Sequence, residues 1–102
     1  MIFVIAAIEV KPGKRDAFLA EFHKLMPKVH KEKGCIEYGP TVDAAVDHPA
    51  QTKLGPDTVA IIEKWESMDA LKAHMTAPHM ATYAAKVKDM LVKRTIHILS
   101  PG

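Results

Sequence analysis

The residues best suited to chemistry in this chain fall between Glu63 and Tyr83. Trp65 is the sole tryptophan and closes an apolar, β-type run. Glu63 stands two positions before it and so shares its face of a strand. His79 follows Pro78 in the first turn of a predicted helix. Tyr83, four positions on, lies on the same side of that helix. The positive end of a helix favours a neutral imidazole, which makes His79 the expected general base. Taking the proton from a phenol or quinol raises the electron density that the ring can offer to oxygen. A neutral histidine beside an aromatic wall suits that step.

Each of these residues also has a plainer reading. A first-turn histidine is commonly solvated or caps its helix. Trp65 and Tyr83 fit a core or an interface as well as a ligand wall. Glu63 fits a structural ion pair or a cross-strand pair with a lysine or arginine. His74 reads as a surface residue of a short helix, and Tyr38 either lines the same cavity or fills the interior. Met75, Met80 and Met90 sit at helical spacings that suit packing. Cys35, directly after Gly34, reads as a small buried residue rather than a nucleophile.

Familiar cofactor and metal motifs are missing. No G-x-G-x-x-G or G-x-x-x-x-G-K-[ST] loop is present, nor a C-x-x-C or H-E-x-x-H. His74 and His79 are five apart across a predicted helix break, and His23 and His30 are seven apart, neither a standard ligand spacing. No metal site and no cofactor are therefore expected, which leaves side chains and the substrate's own electrons. No nucleophile elbow marks a Ser–His–Asp site.

These side chains need a scaffold, and the pattern supplies one. Residues 2–10 are rich in β-branched types and stop at Pro12-Gly13, which predicts a strand and a turn. Phe18, Phe22, Leu25 and Val29 recur as one face of a helix. Pro27 is expected to bend it, and Gly34 to end it. Strands are predicted at 35–42, 57–66 and 93–99, with a long loop over 43–56. Ser67 is placed to cap a short helix over 68–75, and Pro78 to open another running to about Leu91. The order β-α-β-β-α-β is that of a ferredoxin-like α+β fold, an antiparallel sheet with its helices on one face. Residues 1–102 are expected to form one domain.

The first strand is apolar on both faces: Ile2, Val4, Ala6 and Ile8 on one, Phe3, Ile5 and Ala7 on the other. Val59 and Ile61 likewise oppose Ala60 and Ile62. Two helices cover only one face of four strands, so a second copy of the chain, sheet against sheet, is expected: a homodimer. A buried edge or an apolar ligand pocket would leave a similar pattern.

Composition narrows the class. A formal charge of +2, with 14 basic and 12 acidic residues interleaved, gives no patch for nucleic acid. The apolar start, Met1 to Ile8, is too short to span a bilayer and has no basic leader, so neither membrane nor secretion is expected. A single cysteine suits a cytoplasmic location.

Over essentially its full length the chain resembles the small quinol monooxygenases of the antibiotic biosynthesis monooxygenase family. The likeness lies in Lys11-Pro12-Gly13 after the first strand and in Lys31-Glu32-Lys33-Gly34-Cys35 leading to Tyr38. It continues in Pro56-Asp57, Ile62-Glu63-Lys64-Trp65-Glu66-Ser67, Ala73-His74, Ala77-Pro78-His79-Met80 with Tyr83, and the closing Ile96-His97-Ile98-Leu99-Ser100-Pro101-Gly102. The resemblance implies a dimeric α/β-barrel with an apolar pocket in each subunit. It also implies oxidation of a quinol or polyphenol by molecular oxygen without flavin, haem or metal. In that setting Trp65 is a pocket wall and His79 the base or substrate anchor. Tyr83 and Glu63 support them, with His74 and Tyr38 further out. Haem-degrading relatives place an asparagine in the first strand, where this chain has Ala6 and Ala7. A sugar-phosphate isomerase of the same fold resembles the Pro78-His79 region, and a non-catalytic dimer that holds small apolar ligands is the other alternative.

Overall fold

The computed structural model describes residues 1–102. In chain order the elements are β1 (Ile2–Val10), α1 (Arg15–His30), β2 (Cys35–Thr41), β3 (Thr58–Trp65), α2 (Met68–Met75), α3 (Pro78–Val87) and β4 (Leu91–Leu99). The strands form one antiparallel sheet in the order β2-β3-β1-β4, the ferredoxin-like arrangement.

Alternation along the strands decides which side chains meet the helices. Val4, Ala6, Ile8 and Val10 of β1 are buried, as are Val59, Ile61 and Trp65 of β3 and Tyr38 of β2. Phe18, Phe22, Leu25 and Val29 of α1 pack onto them in a single cluster with Leu71 and Val87. Phe22 stacks on Tyr38 with ring centroids 5.2 Å apart and planes within 13°. The opposite face carries Phe3, Ile5 and Ala7 beside Ala60 and Ile62. Ile5 is paired with Ile62 across the strands, and these two remain 39% and 37% exposed. Both faces of the sheet are thus apolar, and helices cover one of them.

Three local expectations shift. α1 continues through Pro27 to His30, because its buried stripe outweighs the one hydrogen bond that the proline removes. Gly34 does not cap that helix; with φ +85 it turns the chain into β2, and a Cβ there would stand 2.6 Å from Cβ of Ala70. α3 ends at Val87, and a single 3₁₀ turn over Lys88–Met90 leads into a β4 that begins at Leu91. Ser67 caps α2 as expected, its Oγ accepting from the backbone N–H of Ala70 at 3.2 Å. No helix is long and apolar enough to cross a membrane.

Candidate active site

A cavity of about 550 Å³ lies between the helix-covered face of the sheet and α2 and α3. That is ample for a small aromatic ligand. Of its 21 lining residues 17 are hydrophobic; the others are Glu63, His74, Thr76 and Arg94. Ile96 and Ile98 pair with Ala6 and Val4 and so face the helices, yet they stay 45% and 46% exposed. The cavity therefore opens along β4, where Arg94 also stands.

His74 is the buried histidine of the site, 4% exposed. It is not a surface residue of α2: Leu71 and His74, three apart, share the face that turns onto the sheet. Its ring lies 4.6 Å from that of Trp65 and edge-on to Tyr38 at 5.2 Å. Nδ1 is 3.0 and 3.2 Å from the two carboxylate oxygens of Glu32. Nε2 is 4.0 Å from Oε1 of Glu63.

Glu63 is 7% exposed and accepts a hydrogen bond from the indole N–H of Trp65 at 2.9 Å. The two-residue strand period brings them together on one face. Burial pushes the Glu63 carboxyl above its ordinary range. The Trp65 bond and the nearby His74 oppose that rise, and Glu32 adds to it. Burial likewise raises the phenols of Tyr38 and Tyr83, and Arg94 pulls Tyr83 the other way. Both tyrosines line the cavity. Tyr83 also meets the edges of Phe18 and Phe22, at 6.2 and 6.0 Å.

The geometry places two of the expected residues away from the cavity wall. Trp65 is fully buried beneath α2 and is not part of the cavity wall; it braces Glu63 and His74 from behind. His79 is also off that wall. It borders a small surface cleft with Tyr83, and its Nε2 lies 2.6 Å from Oε2 of Glu32. The helix terminus is thus not its only electrostatic neighbour. The structure brings Tyr38, Glu63, His74 and Tyr83 to the cavity and sets Trp65 and His79 outside it.

Glu32 is the site residue that the sequence reading passed over. It lies just beyond α1, outside any periodic stripe, and meets His74 and His79 from 42 and 47 residues away. The only sequence signal was its place in the Lys31-Glu32-Lys33-Gly34 segment of the family resemblance.

Comparison with known proteins agrees with this architecture. The model of the family described as "Antibiotic biosynthesis monooxygenase" matches residues 1–86. The chain is 43% identical over 104 residues to the Escherichia coli K12 protein named "Probable quinol monooxygenase YgiN", covering 100% of this chain and 99% of that one. It is 33% identical to YcnE of Bacillus subtilis, over 89% of this chain and 86% of the relative. Among solved structures, Rv0793 from Mycobacterium tuberculosis superposes with a TM-score of 0.79 at 25% identity, covering 98% and 93% of the two chains. A Caulobacter crescentus relative gives 0.82 at 27% identity, over 99% and 89%. The chain belongs to the antibiotic biosynthesis monooxygenase family.

Proposed function

We propose that this member of a monooxygenase family oxidises a small quinol with molecular oxygen, without a flavin, haem or metal, and works as a homodimer. The observation that carries this reading is the buried Glu63–His74 pair on the wall of an otherwise apolar cavity large enough for one or two fused rings. The ring packs among Tyr38, Tyr83 and the aliphatic wall, with a hydroxyl directed to the pair. His74 takes the hydroxyl proton. It replaces His79 in that role because His74 reaches the cavity and His79 does not.

The quinolate then reduces oxygen directly. One oxygen atom replaces a ring C–H as C–OH, and the other leaves as water with the two hydroxyl protons. The quinol supplies all four electrons, so the balance needs no external reductant. The apolar wall keeps water from the reduced-oxygen intermediate. A sugar phosphate fits this cavity poorly, since Arg94 at the mouth is its only cation and Glu63 would face the anion.

The dimer reading rests on the uncovered apolar face around Ile5 and Ile62. An exposed apolar surface of this kind supports association with a second copy.

The test is oxygen uptake by flavin-free, chelator-treated protein given chemically reduced naphthoquinols and benzoquinols, corrected for autoxidation. Labelled oxygen should place one heavy atom in the product quinone. Uptake no faster than buffer across the series would remove the enzyme reading for quinols. Ligand-dependent stabilisation without uptake would favour a binding module instead.

A further inference from the structure

We propose that Glu32 is the positioning residue of the site: it sets the tautomer of His74 and is itself held in place by His79. Its role in turnover rests on the quinol reading above, whereas the tautomer does not depend on the substrate.

Glu32 sits at the turn from α1 to β2, and its side-chain partners are two imidazoles. Nδ1 of His74 is 3.0 Å from Oε2, and Nε2 of His79 is 2.6 Å from the same atom. The neighbouring Lys31 and Lys33 are exposed and make no ion pair with it. Exposure rises along the series: the side chains of His74, Glu32 and His79 are 4%, 14% and 22% exposed. One carboxylate thus joins the cavity histidine to a histidine at the surface cleft.

An ionised carboxylate only accepts hydrogen bonds, so Nδ1 of His74 must be the N–H that donates to it. A neutral His74 then keeps its lone pair on Nε2, the nitrogen beside Glu63. That is the nitrogen able to take the quinol proton. The imidazolium formed there lies between the carboxylates of Glu32 and Glu63, which favours its formation. A carboxylate that orients a histidine base by its second nitrogen is a recurring solution to this problem. His79 acts one step further out. Its short N–H donation holds Oε2 and ties the start of α3 to the turn that carries Glu32.

Long-range proton–nitrogen NMR of the ligand-free, full-length protein tests this directly. His74 is expected to carry its proton on Nδ1, with an unprotonated Nε2. In Glu32→Gln the acceptor-only carboxylate becomes an amide that donates as well as accepts, so the proton should move at least in part to Nε2. Quinol turnover by that variant should fall roughly 10²-fold in kcat with KM changed less than about threefold, within the range of a positioned base. Glu32→Asp should keep the wild-type tautomer and recover part of the rate. His79→Gln, which preserves a donor near Nε2, should retain more activity than His79→Ala.

A wild-type His74 protonated on Nε2 would overturn the proposal. So would an unchanged tautomer in folded Glu32→Gln, even if quinol oxidation is fast. Should Glu32→Gln fail to fold, the wild-type tautomer and the Glu32→Asp and His79→Gln spectra decide. Tautomer reversal with no turnover of any quinol would uphold the positioning role and remove the quinol reading alone.

Discussion

Replacing Trp65 with phenylalanine separates a brace from a ligand wall. The indole is fully buried, and its N–H is given to Oε1 of Glu63 at 2.9 Å. Loss of a hydrogen bond to a charged group costs about 1.5–3 kcal/mol. A void adds about 24 cal/mol per Å³, so roughly 40 Å³ of lost ring volume adds about 1 kcal/mol. The expected destabilisation at neutral pH is therefore about 2.5–4 kcal/mol. In a chain of this size that lowers Tm on the order of 10–25 °C. The cost should depend on pH. Burial raises the Glu63 carboxyl above its unfolded value. Its contribution to stability is thus fully present below the unfolded pKa and is lost as pH rises through the raised folded pKa. Trp65→Phe removes a donor that opposes the rise, lifts Glu63 further and widens that window. The deficit should then be larger at neutral pH than near about pH 4, where both forms carry a protonated Glu63. Urea denaturation at the two pH values measures the deficit, and carboxyl-carbon NMR follows Glu63. Quinol KM should change little, because the indole does not touch the cavity. A stable variant, with less than about 1 kcal/mol lost, unshifted Glu63 and abolished ligand binding, would refute the brace and restore Trp65 as a wall.

Other perturbations read other parts of the fold. Gly34→Ala must hold φ +85 and place a Cβ 2.6 Å from Cβ of Ala70. The left-handed backbone and the overpacking together should cost about 2–5 kcal/mol by chemical denaturation, and a loss below about 1 kcal/mol would show that the turn relaxes freely. Ile62→Lys puts a charge in the middle of the uncovered sheet face, where Ile62 is 37% exposed. Sedimentation velocity should show a dimer for the native chain and a monomer for the variant, and a native monomer would end the sheet-to-sheet reading. Arg94→Met removes the only cation on the cavity wall. Because Arg94 is exposed, the attraction it offers is worth about 0.2–1 kcal/mol. KM for a carboxylated or sulfonated quinol should rise roughly 1.4- to 5-fold, with a neutral quinol unaffected, and equal changes for both would exclude charge selection at the mouth.

Local periodicity made most of the scaffold legible. A period of two placed Glu63 and Trp65 on one face, and a spacing of four, three and four put Phe18, Phe22, Leu25 and Val29 on one buried stripe. The placements that periodicity did not give depend on where distant elements land. His79 drew attention because a helix N-terminus is a local electrostatic feature. His74 bears on the cavity only because α2 folds back onto β3, and Glu32 meets both histidines only because β2 lies at the sheet edge nearest to them. Trp65 lies behind the wall for a related reason, though here the sequence holds a usable clue. Ser67 caps α2 two residues after Trp65, so the chain has no length in which to carry the helix away from the strand end. The helix must return over the last inward-facing residue of β3, and its ring contact with His74 at 4.6 Å is the result. Open space begins one strand repeat earlier, at Glu63 and Ile61, where α2 no longer covers the sheet fully. A cap set that close to the end of a strand assigns the final inward residue to packing and the one before it to the cavity.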